Sequence, residues 1–460
     1  MIEFASQIFS RVTRTGVFWA LLGPLVRTIG FLVVISLALR LLNASDIGLW
    51  YVLVNISMLG SSIEMGFSYT ISRFASYFMA GQQDVRKVGM GIQATSGSPP
   101  NYRGLNGLIV TAKPLYFRFA LFSAFNILVV GGLWLALSDP PKLQNNLQTI
   151  AFLVLGGGTA INVVGIFWHH MLLGVNRVRA YHVLTTTGLL AGYAVSLLGL
   201  LAGGGILAMA TGMVVMNALP RFWSRRMMQS MIPSAEPQSV PVGILWPMTW
   251  RTGTTTFATY LMLPFSTVIA AEVAGMEAAG SYGLCMQIGL LIHLFSGSWL
   301  SVKAPLIAQL QSQGNIRAIR SITRNRMMLG LATYVAGSAI ALWLAPVLLE
   351  FVGSRTPPLP TGQLAILFLV IGMDFIVGMH TVIIQTANHI PYLRPYLFSA
   401  IITPMLALLL GELYGLWGVI IAPALVQAAW NYWWTPRFLW RYLKQQEQSI
   451  AHQHEAIRFS

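Results

Sequence analysis

Among the titratable side chains in stretches otherwise too apolar for charge, the candidates for chemistry are Arg27, Glu64, Arg251, His293, Asp374 and His380. At the centre of a hydrocarbon layer a charged side chain costs about 2.5 to 3.5 kcal/mol, so it is kept for a function or for a partner. Arg27 and Arg251 present planar guanidinium forks suited to multidentate capture of phosphate. Asp374 and Glu64 are groups that can answer to a proton or a cation, and His293 and His380 are polar groups for lining a cavity. Each has a plainer role beside the chemical one. The arginines can snorkel to the interface or pair with an acid, and Asp374 can be a neutral, hydrogen-bonded carboxyl. For Glu64 a salt bridge to Arg27 or Arg73 is the first expectation, and for the histidines a core hydrogen bond. The adjacent His169 and His170 project about 100° apart on a helix and do not make the i, i+4 pair that a metal requires.

These residues must be positioned by membrane helices. The chain has 460 residues, 55% hydrophobic and 9% charged, with a mean hydropathy of +0.67. A soluble domain carries about 25% charged residues. That deficit excludes a water-soluble enzyme, a nucleic-acid-binding module and a disordered scaffold, despite a net charge of +15. Cys285 is the single cysteine, which excludes an internal disulfide and a cysteine-based zinc site. No glycine-rich loop with Lys-Ser/Thr is present, so no ATP hydrolysis is expected, and no cofactor beyond possible H+ or Na+ coupling.

Apolar runs of membrane-spanning length predict twelve spans, at about 17–41, 47–69, 116–137, 148–173, 181–202, 203–219, 246–271, 280–302, 327–349, 363–386, 395–411 and 416–436. The first run, preceded by Arg11 and Arg14, is too long for a signal peptide and is read as a retained helix. With the N-terminus cytoplasmic, most basic residues fall on inner loops. Only Lys142 and Arg355 lie outside, and Arg27, Arg40 and Arg251 lie within spans. Asp46, Asp139, Glu272, Glu277, Glu350 and Glu412 lie outside. This asymmetry predicts a multi-pass membrane protein with both termini cytoplasmic. The outer loops are short and the one long inner loop spans about 70–115, so no soluble catalytic domain is expected and the protein is not read as an enzyme. The inner run Arg317, Arg320, Arg324, Arg326 has the spacing of a face turned to anionic lipid, and Trp430, Tyr432, Trp433 and Trp434 that of an interfacial belt.

Landmarks recur in order in the two halves. Trp19, Pro24, Arg27 is matched by Trp246, Pro247, Arg251; Gly48-Leu-Trp50 by Gly280-Ser-Tyr282; Gly174-Val-Asn176-Arg177 by Thr386-Ala-Asn388-His389; and Pro220-Arg221-Phe222 by Pro436-Arg437-Phe438. Such duplication predicts an all-α polytopic membrane protein of two six-helix lobes related by a pseudo-twofold axis along the membrane normal. The expected divisions are an N-terminal lobe over 1–232, a linker over 233–245, a C-terminal lobe over 246–440 and a cytoplasmic tail over 441–460. Arg27 and Arg251, related by the repeat, would then face each other across a central cavity.

The stretch Arg40-Leu-Leu-Asn-Ala-Ser-Asp-Ile-Gly48-Leu-Trp50-Tyr, then Glu64-Met-Gly66-Phe and Ile71-Ser-Arg73-Phe-Ala, resembles the N-terminal signature of the Wzx-type polysaccharide flippases. These belong to the multidrug/oligosaccharidyl-lipid/polysaccharide exporter superfamily. The chain departs from the pattern in carrying Glu64 where the family usually has Asp, and in a longer inner loop after span two. The resemblance implies a protein of the bacterial inner membrane that flips a polyprenyl-pyrophosphate-linked oligosaccharide to the outer leaflet by alternating access, for cell-surface polysaccharide assembly. Its partners would be that substrate, membrane lipids and polysaccharide polymerase or assembly proteins, with no nucleic acid and no ATP. The alternative on the same fold is a proton- or sodium-coupled exporter of drugs or organic cations. A membrane glycan polymerase or ligase would need catalytic residues on a long outer loop, which is absent from the sequence pattern.

Overall fold

The computed structural model describes residues 16–62, 64, 66–83, 99–138, 142–312, 315–386 and 391–459. Arg11, Arg14, Asp139, Asn388 and His389 lie outside the described residues. Among the described residues every regular element is helical, as a chain that must satisfy its backbone inside lipid requires. Ten helices among the described residues are long and apolar enough to cross a membrane, or eleven when one bent pair is taken as a single span. The chain divides into two compact units, the first ending at Phe257 and the second beginning at Ala258.

In the first unit α1 (Gly16–Leu41) leads through a turn into α2 (Ala44–Ser62), where Asn43 Oδ1 accepts the Asp46 amide at 2.7 Å. Span two, expected to be continuous over 47–69, is broken: α2 stops at Ser62 and α3 (Phe67–Met79) continues at an angle of 42°. The long loop expected over 70–115 is correspondingly shorter, because helix persists to Met79 and resumes at Tyr102. Then follow α4 (Tyr102–Leu137), which holds one wide π turn at Phe125–Gly131, α5 (Asn146–Gly174), α6 (Val178–Leu201) and α7 (Gly205–Met231). Asn176 closes α5 with φ 60°, a left-handed conformation that asparagine tolerates. This explains Gly-x-Asn-Arg at the end of span four. Helix α7 runs well past Leu219, where the apolar run ends.

The connecting segment expected over 233–245 is non-helical only to Pro241, after which α8 (Val242–Met262) begins. That segment lies along the start of α4. The Gln238 amide donates to the Arg103 carbonyl at 2.9 Å, the Thr111 hydroxyl to the Val240 carbonyl at 2.8 Å, and Arg103 pairs with Glu236 at 3.0 Å. Phe67, Phe78, Tyr116, Phe167, Met228 and Leu245 are members of one buried cluster that joins α3, α4, α5, α7 and the start of α8.

In the second unit a turn at Leu263, Pro264 and Phe265 separates α8 from α9 (Ser266–Val273), because proline cannot donate to the preceding turn. Then come α10 (Gly275–Ser301), α11 (Ala304–Ser312), α12 (Ile316–Val352), α13 (Thr361–Thr386), α14 (Leu393–Tyr414), α15 (Leu416–Ala429) and α16 (Asn431–Phe459). The apolar window of α13 is 61% buried and that of α12 only 6%, so α13 is central to this unit and α12 peripheral. The twelfth span, expected as one run over 416–436, is interrupted at Trp430: α15 reaches about 21 Å, and α16 continues as helix through the segment expected to be a tail.

Candidate binding cavity and coupling site

The bend between α2 and α3 builds the first site. Gly66 takes φ 73°, which a side chain would resist, and the turn leaves the first amides of α3 without helical acceptors. Glu64 fills that need. Its Oε1 accepts the Ser68 amide and also the Tyr116 hydroxyl, the latter at 3.0 Å, with the Ser68 hydroxyl 3.2 Å from the same phenol. The salt bridge expected from Glu64 to Arg27 or Arg73 is therefore replaced by a cap and a buried phenol. Arg73 instead donates its Nε to the Tyr77 hydroxyl at 2.6 Å.

Glu64 also lines a cavity of about 260 Å³ inside the first unit, and the cation facing into it is Arg221. The remaining polar lining is Ser57, Ser61, Thr159, Asn162 and Asn217, with Met58, Met213 and Val214 among the apolar walls. Arg221 lies about 24 Å along α7 from Gly205, within hydrocarbon depth. Its stem crosses Gly165 of α5, where an added Cβ would sit 2.9 Å from that of Arg221. Nη1 of Arg221 and Oδ1 of Asn162 are buried and make no protein hydrogen bond. A guanidinium and an amide oxygen thus stand ready for a ligand with an anionic group and hydroxyls. Sequence reasoning placed Arg221 on the inner loop after span six. The one signal available was its repeat-related landmark, Pro220-Arg221-Phe222.

Arg27 is exposed on α1, and its backbone carbonyl accepts the Tyr193 hydroxyl at 2.8 Å. It shares with Arg221 the neighbourhood of the Tyr181 hydroxyl. Arg251 is exposed on α8, its guanidinium 5.7 Å from the ring centroid of Trp250. Neither Arg27 nor Arg251 lines the described cavity. His169 is a satisfied core histidine, its Nδ1 2.8 Å from the Ser224 hydroxyl and its Nε2 2.9 Å from that of Thr185. His170 packs edge-on to Tyr69 and Tyr181.

In the second unit Asp374 occupies the central helix α13. Gln427 of α15 donates Nε2 to Asp374 Oδ1 at 3.2 Å, and the Gln427 oxygen accepts from Asn431 Nδ2. The break at Trp430 turns the chain so that Trp430 Nε1 and Asn431 Nδ2 both donate to the Ser399 hydroxyl, each at 3.0 Å. Tyr432 also adjoins Asp374. Among the described residues the carboxyl is held by neutral groups only, in a relay that crosses α13, α14, α15 and α16. His293 stacks edge-on to Phe375 at 5.2 Å with its Nδ1 buried and unpartnered, whereas His380 Nδ1 lies 2.7 Å from the Ile376 carbonyl of its own helix. Among the described residues no group of three or more His, Cys, Asp or Glu could hold a metal.

No family model matches the sequence, and no curated protein matches it significantly. Solved structures do. An inward-facing multidrug resistance MATE family transporter of the MOP superfamily aligns with a TM-score of 0.60 and 12% identity, over 88% of this chain and 96% of its own. The outward-facing form of a MATE family transporter gives 0.61 at 12% identity, over 94% and 96%. A MOP superfamily transporter from Pyrococcus furiosus, described by the reverse polarity of its binding pocket, gives 0.62 at 12% identity over the same shares. The chain therefore has the all-helical fold of the MOP-superfamily transporters.

Proposed function

We propose that the chain is a secondary transporter that moves an amphiphilic cargo across the inner membrane by alternating access, and that this cargo is a polyprenyl-pyrophosphate-linked oligosaccharide. The observation that carries the cargo assignment is the Arg221 guanidinium in the cavity of the first unit, whose Nη1 makes no protein hydrogen bond. Glu64 shares the cavity, but its Oε1 already accepts from the Ser68 amide and the Tyr116 hydroxyl, so an arriving anion would supply the acceptor that Arg221 Nη1 lacks. The hydroxyl and amide lining suits sugar hydroxyls. Arg27 and Arg251, exposed on their helices, would assist capture of the head group. With the inside negative, export of an anion gains about 2.3 kcal/mol per charge per 100 mV, and Asp374, with Glu64, would couple the cycle to entry of a proton or sodium ion.

A second reading is an ion-coupled exporter of drugs or organic cations. Two observations favour it: Glu64 lines the same cavity, and solved structures of this fold are described as multidrug transporters. The fold itself agrees with this reading at least as well as with the first.

Reconstitution into proteoliposomes separates them. Potential-dependent flipping of a labelled polyprenyl-pyrophosphate oligosaccharide, without efflux of a fluorescent organic cation, is the result expected. Proton- or sodium-driven cation efflux with no flipping of any lipid-linked glycan would replace the first reading by the second.

A further inference from the structure

A second recess lies on the surface of the first unit, at the far end of the α6–α7 hairpin, outside the cavity that holds Arg221. It encloses about 630 Å³ and is lined by Leu184 of α6 and by Trp223, Arg226, Met227, Gln229 and Ser230 of α7. Trp223, Arg226, Met227 and Ser230 stand at i, i+3, i+4 and i+7, one face of the helix. The groove is graded along its length. Trp223 lies about 27 Å from Gly205 and Ser230 about 38 Å at helical rise, so the Trp223 end falls at the border of a hydrocarbon layer about 30 Å thick and the Gln229 and Ser230 end falls at headgroup level, with Arg226 and Met227 side by side between them. Trp223 and Phe222 are about half exposed, as aromatics anchoring a helix at that border are. The Arg226 guanidinium sits 4.9 Å from the Phe222 ring centroid. Arg177, Arg179 and Arg225 are exposed at the same end of the hairpin.

We infer that this groove is a binding site for an anionic glycerophospholipid of the surrounding bilayer. Its phosphodiester would be held by Arg226 with the Gln229 amide and the Ser230 hydroxyl, and its upper acyl chains would lie on Trp223, Met227 and Leu184. The occupant follows from charge and depth: Arg226 in the groove would meet a phosphate, the exposed Arg177, Arg179 and Arg225 at this end of the hairpin add to the positive potential that draws an anionic headgroup, and the apolar residues would meet acyl chain. The inference holds for either cargo.

The test is lipid binding to the detergent-purified full chain by native mass spectrometry, with phosphatidylglycerol and phosphatidylcholine of identical chains. Wild type should hold one phosphatidylglycerol at least fivefold more tightly than phosphatidylcholine. Arg226→Gln should lose about fivefold of the phosphatidylglycerol affinity, the worth of one arginine near an anionic headgroup, and leave phosphatidylcholine unchanged. Arg226→Lys should keep most of the preference, and Arg317→Gln, a basic residue of the second unit, should not change it. If Arg226→Gln does not fold, Gln229→Leu should show a smaller loss in the same direction. Equal affinity for the two lipids in wild type, or an unchanged preference in Arg226→Gln, would overturn the inference. So would displacement of phosphatidylglycerol by polyprenyl phosphate at equal concentration, because the groove would then be a cargo site.

Discussion

The Tyr116 hydroxyl of α4 donates to Glu64 Oε1 at 3.0 Å across the bend between α2 and α3. One carboxylate therefore both caps α3 and ties the bend to the buried cluster. Hydrogen bonds to a charged group are worth about 1.5 to 3 kcal/mol. Tyr116→Phe and Glu64→Gln should each lower the thermal stability of the detergent-solubilised protein by about 1 to 3 kcal/mol. The double variant should cost clearly less than the sum, since both changes remove one interaction. Additive losses would show that the two groups stabilise the fold separately.

Arg221 predicts the opposite sign. Its Nη1 makes no protein hydrogen bond, so Arg221→Met, which keeps the stem and removes the charge, should leave the melting temperature unchanged or raise it. A large drop in a thermal-shift assay would mean that the guanidinium has a structural partner.

Gly165 gives a way to move Arg221 without touching a polar group. A Cβ there would press on the arginine stem at 2.9 Å, whereas one at Gly157 of the same helix would meet nothing within 4 Å. Gly165→Val should therefore reduce transport at least tenfold and cost about 1 to 3 kcal/mol by overpacking. Gly157→Ala should be neutral or stabilise by up to about 1 kcal/mol, with transport intact. Equal behaviour of the two variants in paired stability and flux assays would contradict this placement of Arg221.

Asp374 is held by Gln427 in a neutral relay. If it couples transport to an ion, Asp374→Asn should fold normally and lose any stimulation by an imposed proton or sodium gradient, while flux driven by membrane potential alone persists. Gln427→Leu should weaken the same stimulation. Unaltered gradient dependence in Asp374→Asn, measured in proteoliposomes, would make the carboxyl purely structural.

Hydropathy carried most of the helical architecture because lipid leaves the backbone no alternative. It placed the turn between spans five and six at residues 202–205, where α6 ends at Leu201 and α7 starts at Gly205. It located Glu64 and Asp374 in apolar surroundings. Their partners, Tyr116 and Gln427, lie 52 and 53 residues away in sequence, and no local pattern marks such pairs. Arg221 was assigned to a loop because the apolar run ends at Leu219, yet α7 continues to Met231. Charge counting treats the end of apolarity as the end of the membrane, and a cation facing a cavity breaks that equivalence. The breaks at Gly66 and Trp430 were invisible for a related reason, since a bent span has the same composition as a straight one.

The most direct test of the central claim is the rate of lipid-linked oligosaccharide flipping in proteoliposomes under an imposed potential, compared between wild type and Arg221→Met at matched protein incorporation. Capture of the anionic group by Arg221 predicts potential-dependent flipping in wild type and at least a tenfold slower rate in the variant, with its melting temperature preserved. Undiminished flipping in a folded Arg221→Met protein would contradict the claim that this cavity holds the charge of the cargo.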